Sequence, residues 1–320
     1  MIQYKKENMK QKPYKQRSPD WQYHELLAKI MREGTTVHPI QGEDSKMIVG
    51  HQMHFLFENG FPLITERDVG NNASIIGTDG TEKKVNFLRG ALGEHIGFLH
   101  GARTHEELKR WGCNWWKKWV TKERCDIFDL PEGDLGDGSY GAGWTSFPTK
   151  EGTSFNQITE VIRQIKERPA LRTHIITPWI PQYTIQHSDL KRRVVVAPCH
   201  GWLHVLTFPD TKELTVHHFQ RSGDVPVGVV FNIVQYASFA MMLAQVLGYT
   251  PRELVYTISD AHIYESQFTK VEELLKREPE PFPTMTITDS SIRDILDFRP
   301  EHFSLTDYYP HPAMIIPTPI

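Results

Sequence analysis

With 320 residues, 39% of them apolar, the chain can bury a full core without support from metals or disulfides. Its formal net charge of -3 excludes a global basic field for nucleic acid or an anionic membrane, so an anionic ligand would have to be met by a local arginine cluster. Three cysteines, Cys113, Cys125 and Cys199, form an odd set at spacings that fit neither a zinc site nor a disulfide framework and suit a reducing cytoplasm.

Residues 1–20 combine charge, Gln and Pro with almost nothing to bury, which predicts a loose basic arm ahead of one domain over 21–320. Helical apolar spacing follows from Tyr23 to Arg32, and alternation over MIVGHQMHFLF (47–57) predicts a strand. Residues 68–83 are rich in Gly and Asn and read as a surface insertion. Helices are expected from Asn86 to Leu99 and from Thr104 to Trp111, then a ligand-type loop over 127–155 carrying Tyr140 and Trp144. A helix over 156–168 ends at Arg168-Pro169. Three β-branched and aromatic runs, THIITPWI, RVVVAPCHGWLHVLTF and ELTVHHFQRS, read as strands. FNIVQYASFAMMLAQVLGY has no polar face and is closed by Gly248 and Pro251, which marks a buried central helix. The polar, lysine-rich N-terminus lacks an apolar targeting core, and no membrane span is expected.

In APCHGW (197–202), Cys199 lies between Pro198 and His200 at the end of a predicted strand. A lone cysteine is ordinarily an inert small hydrophobe, but the residues that follow carry complementary chemistry. FQRSGDVPVG supplies Arg221, a guanidinium suited to steadying a thiolate and to holding a phosphate. Asn232, in FNI, offers an amide that can pair with the edge of a base. SDAHIY sets His262 and Tyr264 two residues apart, on one face of an extended segment and within reach of one sugar hydroxyl.

In this order and spacing, PCH, QRSGDVPVG, FNI and DAHIY resemble the thymidylate synthase family, as do GHQMHFLFENGFPLIT, GEHIGFLHG, GSYGAGW, RPALRTHIITPWIP and YYPHPAM. The resemblance spans residues 21–320. It implies an α/β (α+β) fold in which a large, mixed, twisted β-sheet packs against the buried central helix and forms the interface of a homodimer. It also implies one-carbon transfer to C5 of a pyrimidine nucleotide, with 5,10-methylenetetrahydrofolate as co-substrate and neither a metal nor a stable nucleic-acid partner. Cys199 would be the thiolate that adds to C6 and turns the ring into an enolate. Glu94 would relay protons to the base carbonyl, and Tyr140 and His200 would complete that network. Asn232 would read the base, Gln220, Arg221 and Ser222 would hold the nucleotide, and His262 and Tyr264 the ribose. Arg172 would reach the partner's phosphate. Asp224 would take the pterin, with Trp116, Trp119, Gly228 and Phe231 around it. From residue type alone, Glu94 also reads as a helix N-terminal charge and the two tryptophans as core aromatics.

Several positions depart from the family. HPIQGEDSK replaces the usual arginine loop and places Ile40 at the arginine position; Arg172-Thr173 replaces an arginine pair, leaving Lys46 as a candidate substitute. On the folate side, Gly97 stands for a tryptophan, Trp115 for an aliphatic residue, Lys117 for an acid, and Glu66 and Arg67 for lysines. A tryptophan-to-glycine opening would admit water to an exocyclic methylene on C5 and give a hydroxymethyl product in place of a methyl group. Asn232 favours uracil over cytosine, for which phage-type relatives carry aspartate. The expectation is therefore a dUMP hydroxymethylase most like the phage-type branch. Thymidylate synthase, a CMP or dCMP hydroxymethylase, and an inactive nucleotide- or RNA-binding relative are the alternatives.

Overall fold

The computed structural model describes residues 11–39, 42–76 and 80–319. The helices that frame the site are α1 (Gln22–Glu33), α2 (Phe87–Leu99), α3 (His105–Arg110), α4 (Tyr140–Thr145), α5 (Gln157–Glu167) and α6 (Val230–Leu247). The main sheet contains β1 (Thr35–Val37), β2 (Ser45–Leu56), β3 (Ile175–Ile176), β4 (Trp202–Phe208), β5 (Glu213–Asp224) and β6 (Thr250–Tyr264), in the order β1-β2-β6-β5-β4-β3. Only β5 and β6 pair in parallel, with Val216 opposite Leu254 and Asp224 opposite His262; the other pairs are antiparallel. A parallel pair needs a crossover, and α6 supplies it. This is the expected mixed sheet against a buried helix.

Helix α6 has no polar stripe because it has no solvent face: of its residues only Phe231, Gln245 and Leu247 escape full burial. It packs between α2 and the sheet face bearing Leu254, Tyr256 and Ile258. Although Val225–Leu247 is long and apolar enough to cross a membrane, most of it is buried in protein. Gly248 ends the helix in the left-handed region at φ 71°, where Tyr249 N–H reaches the Ala244 carbonyl at 2.8 Å. Thr104 starts α3 by a capping box with Glu107.

The glycines of α2 serve close packing. A Cβ on Gly93 would stand 2.0 Å from the Trp111 carbonyl oxygen, and one on Gly97 2.9 Å from Leu108 Cδ2 and 3.1 Å from Trp111 Cδ1. The expected opening at Gly97 is therefore corrected: the side chains of Leu108 and Trp111 occupy the space.

Three further expectations change. Residues 11–20 are not a loose arm: Arg17 is buried, donates to the carbonyls of Lys12 and Phe282 and to Thr284 Oγ1, and Pro19 bridges to Pro281. Residues 1–10 lie outside the described part. The 68–83 insertion is largely exposed, as expected, but is not structureless: Ala73–Ile76 pairs antiparallel with Glu82–Val85. The 127–155 loop contains α4. RVVVAPC is not a strand, because its backbone bonds go to a short helix and a loop, Arg193 N–H to the Tyr183 carbonyl in Pro181–Thr184 and Val195 N–H to that of Leu135. Cys199 consequently sits in an irregular segment three residues before β4.

Candidate active site

Cys199 is partly exposed and held from two sides. Its backbone N–H donates to the Tyr140 hydroxyl at 2.8 Å, and its carbonyl accepts from Arg221 N–H at 2.8 Å. The Arg221 guanidinium is fixed by the carbonyls of Pro198 and Ala197, both at 2.8 Å, and places Nη2 3.3 Å from Cys199 Sγ. A cation at that distance can pair with a thiolate. Burial and the neighbouring Cys199 push the Tyr140 hydroxyl well above its usual range, so it stays protonated. His200 lies against the Tyr140 ring at 4.4 Å and hydrogen-bonds Tyr236; burial lowers its pKa to about 3, leaving a neutral imidazole.

Glu94 faces this group from α2 and is buried, which rules out the helix-terminal reading. Its Oε1 accepts from Trp115 Nε1 at 2.6 Å, from Trp116 Nε1 and from the Cys113 thiol at 3.8 Å; Oε2 accepts from Gln235 Nε2 at 2.5 Å. Burial pushes its carboxyl up, and the Trp115, Gln235 and Trp116 donors pull it back. A carboxyl that burial raises and three donors steady can hold a proton and pass it on. Gln235 also accepts from Asn232 Nδ2 at 3.0 Å, while Asn232 Oδ1 accepts from Gln220 Nε2 at 3.2 Å.

A third group lies along β5 and β6. Asp260 accepts from Ser222 Oγ at 2.7 Å and pairs with His262 Nδ1 at 3.0 Å, and the Tyr264 ring meets His262 edge-on at 4.9 Å. Beyond it, Asp224 accepts from Gln267 Nε2 at 3.0 and 3.2 Å and from Val227 N–H at 3.3 Å. Asp224 keeps some solvent contact, yet desolvation raises its pKa to about 6. Gly228 faces open space, and Phe231 stacks on Trp115 at 5.7 Å.

A sequence model of the family described as thymidylate synthase matches residues 21–319. The chain belongs to the thymidylate synthase family. Members of the thymidylate synthase family transfer a one-carbon unit from methylenetetrahydrofolate to C5 of a dUMP-like nucleotide, and this chain is an enzyme of that general class. Among the described residues no cluster of three or more His, Cys, Asp or Glu is placed to hold a metal.

Not every predicted residue joins the cluster. Arg172 is exposed in the turn after α5, whereas Arg221 turns inward. Trp119 lies beneath Arg124 at 5.3 Å. Lys46 does not replace the missing arginine: it lies in β2 with Nζ given to the Met31 carbonyl at 2.6 Å. Ile40 lies outside the described residues. Glu66 and Arg67 are buried, not exposed along a folate path, and Arg67 donates to the Pro226 carbonyl at 2.8 Å. Trp115, Cys113, Gln235 and Arg192 carry no motif of their own, and Asp260 lies within DAHIY without being singled out. Arg192 lies over Phe128 at 4.5 Å; its pKa is lowered by burial and then by the like charge of Arg221.

Proposed function

We propose that this protein is a dUMP hydroxymethylase: dUMP, methylenetetrahydrofolate and water give 5-hydroxymethyl-dUMP and tetrahydrofolate. The observation that carries the nucleotide chemistry is Cys199 Sγ, 3.3 Å from Arg221 and backed by the Tyr140 hydroxyl on its own N–H. The thiolate adds to C6 of uracil, and the electron pair moves to C5 and O4. C5 then bonds to the one-carbon unit, which the folate supplies at the oxidation level of formaldehyde. Glu94 holds or returns the proton at O4 and receives the one lost from C5, with the protonated Tyr140 hydroxyl and the neutral His200 as polar neighbours of the ring. Elimination of the folate leaves an exocyclic methylene; water adds at its carbon, the electron pair returns through C5 to expel the Cys199 thiolate from C6, and the protons from C5 and from water end on the two folate nitrogens that held the one-carbon unit.

The residues at hand suit these ligands. Asn232 has one donor and one acceptor left for a base edge, Ser222, His262 and Tyr264 line a sugar, and Arg221 with Arg192 offers two cations for the phosphate. Asp224, Gly228, Phe231, Trp115 and Trp116 border the folate, with Trp119 farther out. A water-quenched product is supported by the altered folate wall, above all Trp115, which donates to Glu94 and stacks on Phe231.

One observation favours a second reading, methyl transfer with dihydrofolate as by-product: the filled space at Gly97 keeps water out on that side. We further propose a two-fold dimer through the open sheet face, where Ile175 and Phe219 are exposed and Trp202 and His217 partly so, with Arg172 serving the partner's phosphate. Cytoplasmic location accompanies this reading. Tritium release from 5-labelled dUMP with methylenetetrahydrofolate tests the nucleotide assignment; release from dCMP or CMP but not dUMP would overturn it.

A further inference from the structure

Asn232 is a symmetric-looking amide whose two ends have opposite polarity, so its meaning to a base depends on which end points where. The packing around it settles that. Gln235 Nε2 reaches the backbone carbonyl of Ala91 at 3.2 Å as well as Glu94 Oε2 at 2.5 Å. A carbonyl only accepts, so the NH2 end of Gln235 must lie there and its oxygen must face Asn232, which therefore presents Nδ2 at 3.0 Å. On the other side Gln220 Nε2 reaches the Ser222 carbonyl at 2.9 Å, while Tyr256 donates to Gln220 Oε1. The NH2 end of Gln220 is thus fixed toward Asn232 Oδ1, at 3.2 Å. Asn232, Gln235 and Gln220 are all buried, so water cannot relax a wrong choice.

Rotating the Asn232 amide by a half turn would set nitrogen against the NH2 of Gln220 and oxygen against the oxygen of Gln235. Turning Gln235 to match would drive its oxygen onto the Ala91 carbonyl and the Glu94 carboxylate. Both errors leave buried groups of like polarity facing one another. One donor and one acceptor of Asn232 remain, in fixed positions. Uracil offers N3–H and O4 where cytosine offers N3 and an amino group, so the two bases need opposite amide orientations.

We infer that Gln235 is a specificity-determining residue that locks Asn232 in one orientation and ties that lock to Glu94, so that the site reads uracil and refuses cytosine. It is a positioning residue, acting through Asn232 and Glu94. The inference rests on the proposed role of Asn232 as the base reader.

The test compares kcat/KM for dUMP and dCMP by tritium release, which reports both bases and either product, with equilibrium binding of each nucleotide by calorimetry. Wild-type enzyme is expected to prefer dUMP strongly. Gln235→Leu should lower that preference about ten- to hundredfold, the size of losing one oriented two-point base contact. Gln245→Leu, on the same helix but directed at the carbonyls of Asp289 and Ile292, should leave it unchanged. Gln235→Glu keeps an oxygen toward Asn232, so it should lose activity beside Glu94 while retaining the preference; this variant carries the test if the leucine variant does not fold. Parallel loss for both nucleotides in Gln235→Leu, or relaxed preference in Gln235→Glu, would overturn the lock. Failure of wild-type enzyme to use or bind either nucleotide would instead overturn the functional reading, and a preference for dCMP would overturn the base assignment alone.

Discussion

The two walls of the site are built differently. The Cys199 wall uses backbone: carbonyls of Ala197 and Pro198 fix Arg221, the Cys199 N–H holds Tyr140, and Cys199 and Arg221 remain partly open to solvent. The Glu94 wall is buried and assembled from side chains of distant segments, two indoles and a thiol from 113–116 and an amide from α6. A wall made of backbone tolerates drift around it, because any side chain supplies the same carbonyl. One made of side chains changes character with each substitution. Trp115 and Gly97, two of the positions expected to depart from the family, stand on the Glu94 side.

The difference can be broken at several points. Removing the sulfur in Cys199→Ala should lower turnover by roughly four orders of magnitude or more, as losing a nucleophile does, with dUMP binding preserved by calorimetry; retained turnover would mean the open wall is not where the covalent step occurs. Glu94→Gln should cost about 10²–10⁴ in kcat, the usual range for a positioned acid or base, measured by tritium release. Arg192→Gln should raise KM for dUMP about tenfold while leaving kcat nearly unchanged, as expected of one charge-assisted phosphate contact. An unaltered KM would leave Arg221 as the phosphate cation of this wall.

The smallest effect concerns stability. Glu66 is buried with Oε1 unpartnered, and desolvation raises its pKa to about 7. Because this lies above the unfolded value of about 4.3, the folded state holds a proton that the unfolded state releases, and stability falls as pH rises from about 4.3 through about 7. Glu66→Gln should flatten that slope and raise Tm at pH 8, a gain on the order of 1–3 kcal/mol. Thermal unfolding of both proteins at pH 5 and pH 8 checks it; equal slopes would show that Glu66 finds a partner on ionisation.

Much of the architecture was legible in local chemistry. The absence of a polar face in 231–249 announced the buried helix, and the helix expected from Thr104 begins at that residue's cap. Where tertiary bonds decide, the sequence misled. RVVVAPC has strand composition, but Leu135 and Tyr183 take its backbone donors. Gly97 read as a hole because its neighbours, eleven and fourteen residues away, could not be seen to fill it. The motifs brought Cys199, Arg221, Ser222 and His262 to mind through their order along the chain. Gln235 had only a faint signal, a polar residue three positions after Asn232 and so on its face of an apolar helix. Trp115 stood out only as a departure from the family's aliphatic residue and Cys113 not at all, since their partner Glu94 lies about twenty residues before them.

The most direct measurement is mass spectrometry of the product from dUMP and methylenetetrahydrofolate, with dihydrofolate absorbance followed in the same reaction. The account predicts a 5-hydroxymethyl nucleotide and no dihydrofolate. A methylated nucleotide formed with an equal amount of dihydrofolate would contradict it, and would mean that the rebuilt wall around Glu94 still keeps water from the methylene.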